Sequence, residues 1–284
     1  MTLQKCGKLI NTLTNSQVKS HYYPNKFINP MNSQHTGNPE KMVNIFNDYF
    51  VTVGKHIANS IAPPHSNKHP VAYNGPDHSF VSHETFPEEV EAVINRLLEC
   101  KSVTMNDIPI HILKLCKNTL FPFLAQIFNL CIWKGTYPKS LKWAQVVPIH
   151  KWGQKGLCNN YRPILLLSPI NKIFEKLLYS CLYSYIEQHN MLSEHQYGFR
   201  SGLSTSLAIY DIHENFLQNT QKGLTTCAVF CDLFEAFDTL DHEMLLWKLE
   251  HFYGIRRLPC KLLTSYLQDS SILLFGGIGQ LPRG

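Results

Sequence analysis

Between Pro39 and Ile61 the apolar positions Met42, Val43, Phe46, Tyr49, Phe50, Val53 and Ile57 recur at intervals of three and four. That is the stripe of an amphipathic helix, which must pack on something. The same period resumes after Pro87 in Val90, Val93, Ile94, Leu97 and Leu98, where Glu88, Glu89 and Glu91 suit the positive end of a helix dipole. It predicts further helices over 109–117, 119–133, 169–189, 204–220, 241–252 and 259–268. Three runs, 143–150, 161–167 and 224–232, are short and apolar and predict strands. Pro148 and Pro163 each remove a ladder donor, which favours edge positions for the first two strands. The fold class that follows is α+β, helix-rich with a few short strands.

Breaks in the pattern divide the chain. Residues 1–38 are rich in Asn, Ser and Gln, show no sustained apolar period, and suggest a flexible lead-in. Residues 62–84 carry Pro, Gly, Asn and four His, again without a period, and suggest a linker whose histidines lack metal-ligand spacing. The first helix and this linker make one unit, 39–84, ahead of a globular body that begins near 85. A loop from Gly153 to Gly156 separates the first two strands.

Composition supports a packed chain: 44% of the 284 residues are apolar and 17% charged, which can build a sizeable core. The formal charge of +5 is unevenly spread. Residues 139–200 hold eight Lys or Arg against three Glu, and residues 211–250 hold eight Asp or Glu against two Lys. A basic segment feeding an acidic one suits a place where polyphosphate meets metal ions, and equally two solvated surfaces. None of the nine cysteines forms a C-x-x-C pair, and Cys227 and Cys231 flank the third predicted strand as small apolar groups. Reduced thiols in an intracellular compartment, cytoplasm or nucleus, are expected. No apolar run reaches about 18 residues, so neither a membrane span nor a secretory leader is expected.

Asp232 closes the strand predicted at 224–232 and precedes Leu233-Phe234-Glu235-Ala236-Phe237-Asp238. A carboxylate so placed can offer oxygen to a hard divalent cation, or cap the next helix. Six segments decide between these when taken in order: Val146-Val-Pro-Ile-His-Lys151, Asn160-Tyr-Arg-Pro-Ile164, Lys172-Ile-Phe-Glu-Lys176, Gln196-Tyr-Gly-Phe-Arg200, Ser204-Thr205 and Asp232-Leu-Phe-Glu-Ala-Phe-Asp238. Together they resemble the reverse transcriptases of non-LTR retrotransposons. The resemblance covers about residues 86–270, and Phe46-Asn-Asp-Tyr-Phe50, Lys101-Ser102 and Asp107-Ile-Pro109 look like the less specific region before the fingers.

The resemblance implies the fingers (85–223) and a partial palm (224–284) of a right-hand polymerase. It implies RNA-directed DNA synthesis from dNTPs on an RNA template with a DNA primer, with Mg²⁺ as cofactor. Asp232 matches the first of three metal-binding carboxylates, and the backbone carbonyl of Leu233 would help hold a metal. Phe237 matches the aromatic gate whose bulk excludes a ribose 2′-hydroxyl. Lys151 and Arg162 match residues that grip the incoming triphosphate, tasks for a point charge and a bidentate fork. Gln196, Gly198, Phe199 and Arg200 match a segment near the template, where glycine permits close backbone approach and arginine meets phosphate. Trp143, Trp152, Tyr161 and Tyr197 interleave with the basic window and could stack on bases.

The chain also departs from the family. Glu235 stands where a lysine is common, and Gly277-Ile-Gly-Gln280 stands where a Gly-x-Pro-Gln-Gly segment is expected. The other two carboxylates normally come from adjacent aspartates, and no two Asp are adjacent here. The expectation is a truncated fragment without polymerase activity of its own, its strand at 224–232 left with an open edge. The alternative is a residual RNA-binding module or a non-functional retroelement remnant, since phosphate contacts need no metal.

Overall fold

Asn38 Oδ1 accepts the Glu40 amide at 2.8 Å and opens α1 (Pro39–Ser60). This computed structural model describes residues 27–28, 35–60, 75–97, 108–233, 236, 240–268 and 271–274. The inner edge of the α1 stripe, Met42 and Phe46, is buried with Phe27, Val146, Cys158 and Tyr161. Phe27 lies in β1 (Phe27–Ile28), paired antiparallel with β2 (His35–Thr36), and its ring centroid is 4.7 Å from that of Phe46. The Ile28 amide donates to the Gly156 carbonyl at 2.8 Å. Part of the stretch expected as a flexible lead-in is therefore core. Two-residue strands carry no period, which is why the pattern does not announce them.

Among the described residues seven further helices follow: α2 (Pro87–Arg96), α3 (Ile110–Leu115), α4 (Lys117–Lys134), α5 (Pro169–Gln188), α6 (Thr205–Gln221), α7 (His242–His251) and α8 (Arg257–Leu267). Local chemistry sets their ends. The Phe86 amide donates to Glu89 Oε2 at 2.9 Å, and Ser168, Ser204 and Asp241 cap α5, α6 and α7 through their side-chain oxygens. Gly135 ends α4 at φ +59°, where the Thr136 amide reaches back to the Cys131 carbonyl at 3.0 Å.

The main core joins Val90 and Ile94 of α2, Leu113, one side of α4 with Phe121, Leu124, Phe128 and Ile132, then Ile173, Phe174 and Leu177 of α5, and Leu262. The Phe128 and Phe174 rings stack at 4.6 Å. A polar chain crosses this core. The Tyr137 hydroxyl bonds Asn171 Oδ1, Asn171 Nδ2 donates to Glu175 Oε1 at 3.2 Å, and the Tyr266 hydroxyl donates to the same oxygen at 2.7 Å. Burial, together with the Glu175 charge, pushes the Tyr137 phenol far up. Tyr266 moves the same way, by burial first and then its bond to Glu175. Lys142 is buried beside it, its ammonium donating to the carbonyls of Ser265 and, at 2.8 Å, Gln268. Those bonds fix the start of the sheet to the end of α8.

In that sheet β3 (Trp143–His150) lies between β4 (Tyr161–Leu167), antiparallel, and β5 (Ser271–Leu274), parallel. The edge position expected for β3 is thus corrected: it is the central strand. Its proline is tolerated because Pro148 faces Pro163, and the β5 register ends at Val146, so no ladder donor is demanded there.

A third cluster gathers Phe80, Tyr185 and Ile255. Residues 75–80, expected as linker, dock onto it: the Phe80 amide donates to the Gly254 carbonyl at 3.0 Å, and the His78 ring stacks on His189 at 3.8 Å. Residues 62–74 of that stretch lie outside the described residues.

Helix bounds fall within two residues of the periodicity, and β3 and β4 match it at both ends. The strand expected at 224–232 is the clear correction. Residues 224–233 are exposed throughout and pair with no described strand; Cys227 and Cys231 are exposed rather than buried. Propensity alone does not make a strand, and β3 already has a neighbour on each side. The preceding α6 buries none of its residues either.

Candidate nucleotide and template site

The β3–β4 hairpin carries the first two candidate residues. Its register pairs Ile149 with Arg162 and His150 with Tyr161, and beyond it the Lys151 amide donates to the Asn160 carbonyl at 2.7 Å. Side chains alternate along a strand, so Arg162 shares one face of the hairpin with its partner Ile149, and half-buried Lys151 follows just past the end of β3. That face, with Ile149 and Ile164, is open, whereas the opposite face buries Ala144, Val146, Pro148 and Tyr161.

The tip is held by its own polar groups. Asn160 is buried and donates from Nδ2 to the Gln154 carbonyl at 2.9 Å, and the Tyr161 hydroxyl donates to the Lys155 carbonyl at 2.7 Å. His150 Nε2 meets the Gly153 carbonyl at 3.1 Å. Gly153 sits at φ +80°, and a Cβ there would come within 2.8 Å of Asn160 Nδ2, so two demands converge on glycine. Asn160 stands in one of the matched segments, which was the one sequence signal for its role. Tyr161, a candidate for base stacking, is core; Trp152 is exposed.

The segment 196–200 follows α5. Gln196 Nε2 donates to the Gly198 carbonyl at 3.3 Å. A Cβ at Gly198 would meet open space, so nothing in the described chain demands glycine there. Phe199 is 86% exposed and has φ +60°, a strained backbone for an aromatic residue. Arg200 is occupied within the protein: Nε and Nη2 face Glu187 Oε1 and Oε2 at 3.3 and 3.4 Å, and Nη1 donates to the Ser193 carbonyl at 3.0 Å. The Tyr197 hydroxyl bonds Asp211, and that bond raises its pKa.

Asp232 and Leu233 lie exposed on the unpaired stretch after α6, and Phe237 lies outside the described residues. Among the described residues no three His, Cys, Asp or Glu gather where they could hold a metal. One exposed carboxylate does not by itself fit a two-ion site. The described chain therefore brings Lys151 and Arg162 to the same end of the β3–β4 hairpin but does not assemble Asp232 with further carboxylates. No described helix is long and apolar enough to cross a membrane.

Residues 149–276 match the reverse transcriptase (RNA-dependent DNA polymerase) family. Over 193 residues the chain is 31% identical to the "Probable RNA-directed DNA polymerase from transposon BS" of Drosophila melanogaster, covering 66% of this chain and 20% of that protein. Identity to that fly's "RNA-directed DNA polymerase from mobile element jockey" is 28% over 167 residues, covering 58% and 18%. For its "Probable RNA-directed DNA polymerase from transposon X-element" it is 31% over 186 residues, covering 64% and 20%. The chain spans about a fifth of the length of these curated relatives. The match begins at the end of β3 and takes in the hairpin tip, the 196–200 segment and Asp232, and with these relatives it makes residues 149–276 a reverse transcriptase region of the non-LTR retrotransposon kind.

Proposed function

We propose that these residues form the fingers, 85–223, and the first part of the palm, 224–284, of an RNA-directed DNA polymerase. Its substrates are dNTPs, an RNA template and a DNA primer. The observation that carries this reading is the β3–β4 hairpin, whose tied tip brings Lys151 and the exposed Arg162 to one end, where a triphosphate could meet both. Gln196, Gly198 and Phe199 face the template, Gly198 leaving room for close approach and Phe199 offering a ring to a base. Arg200 fastens that loop to Glu187 instead of meeting a phosphate. Asp232, with the Leu233 carbonyl, is the first ligand of a Mg²⁺ pair that needs carboxylates beyond those described, and Phe237 is the sugar gate.

A second reading, RNA binding without chemistry, has one observation in its favour. Among the described residues, the core that holds the hairpin uses none from 189 to 254, so the hairpin packs without the Asp232 stretch.

Photo-crosslinking with an azido-dATP tests the assignment. Labelling between residues 151 and 162 should fall at least about tenfold in the Lys151→Ala, Arg162→Ala double variant, because charge-assisted phosphate contacts are lost. Unchanged labelling would remove the triphosphate role. The 284-residue polypeptide alone should extend no primer on an RNA template; Mg²⁺-dependent synthesis would overturn the argument that one carboxylate of three is insufficient. Salt-sensitive RNA retention that survives the double variant would sink the second reading.

A further inference from the structure

One side of α4 (Phe121, Leu124, Ala125, Phe128, Cys131 and Ile132) is buried in the main core. On the other side Phe123, Ile127, Leu130 and Trp133 are each about half exposed. At about 100° per residue their spacing of four, three and three makes a single stripe nearly opposite the buried face. A helix apolar all round is normally covered all round. Its own charge restricts what can cover it, because residues 108–142 contain five Lys and no Asp or Glu, and exposed Lys134 lies in line with the stripe at the end of α4.

We propose that this stripe docks an acidic amphipathic helix of a partner polypeptide. Its linear ridge, with residues at near-heptad spacing, suits the apolar seam of a second helix, and Lys134 at its end suits an acidic flank. An anionic membrane fits less well. Lys117 is paired with Glu91 at 3.3 Å and Lys142 is buried on carbonyl oxygens, which leaves at most three of those lysines. Polybasic membrane patches use about four to eight.

The test uses the whole 284-residue chain and two fluorescein-labelled 18-residue helical peptides. Both carry leucine at heptad a and d positions; one has glutamate flanks and the other lysine flanks. Fluorescence anisotropy should show the glutamate peptide binding at least about tenfold tighter, with the preference shrinking at high salt. The Ile127→Ser, Leu130→Ser double variant should lose at least about tenfold of that binding with its circular dichroism unchanged. If that variant unfolds, Lys134→Glu replaces it and should narrow or invert the peptide preference. Equal affinity for the two peptides, or binding indifferent to these substitutions, overturns the proposal. Stripe-dependent retention on phosphatidylserine vesicles without glutamate-peptide binding also overturns it, in favour of a membrane.

Discussion

Cys158 is buried between α1 and the hairpin, and burial pushes its thiol up to about 12. The folded chain therefore resists the thiolate more than the unfolded chain does. The contribution to stability is fully present below the ordinary value of 9.0 and is lost as pH rises through that value to about 12. The urea midpoint should fall over that range, and Cys158→Ala should flatten the fall; an identical slope in the variant would show that Cys158 does not carry it. Nothing around Cys158 in the sequence marks it for burial. Its neighbour Phe27 comes from over a hundred residues earlier, and such contacts leave no local period. Arg200 shows the converse: its resemblance pointed to template phosphate, but Glu187 and the Ser193 carbonyl take up its donors.

Among the elements, the β3–β4 hairpin is the most legible. Short apolar runs fixed both strands to the residue, and in the fold β3 alternates in burial with Val146 inside. The central place of β3 was not legible, because β5 is a four-residue run too short to announce a partner. Gly153→Ala tests how firmly the tip is held. It puts a Cβ at φ +80° within 2.8 Å of Asn160 Nδ2, and should cost about 1–2 kcal/mol in urea unfolding. Azido-dATP labelling at Lys151 should fall with it. Unaltered stability and labelling would mean that the tip adapts and that its rigidity plays no part in presenting Lys151 and Arg162.

Over the whole molecule, stability is unevenly distributed. α4 and α5 share the main core, whereas α6 buries no residue and 224–233 pairs with no described strand. Amide exchange should therefore be slower by about a hundredfold or more in α4 and α5 than in 224–233. Equal protection would mean that 224–233 is covered in solution.

The sequence by itself determined the helices, the two hairpin strands and the family, because period and ordered motifs are local properties of the chain. Tertiary structure alone decided that Phe27 belongs to the core, that β3 is central, and that Arg200 is spent on Glu187. It also decided that an apolar run ending at Asp232 is not a strand, since ladder hydrogen bonds require a neighbour that local pattern cannot supply.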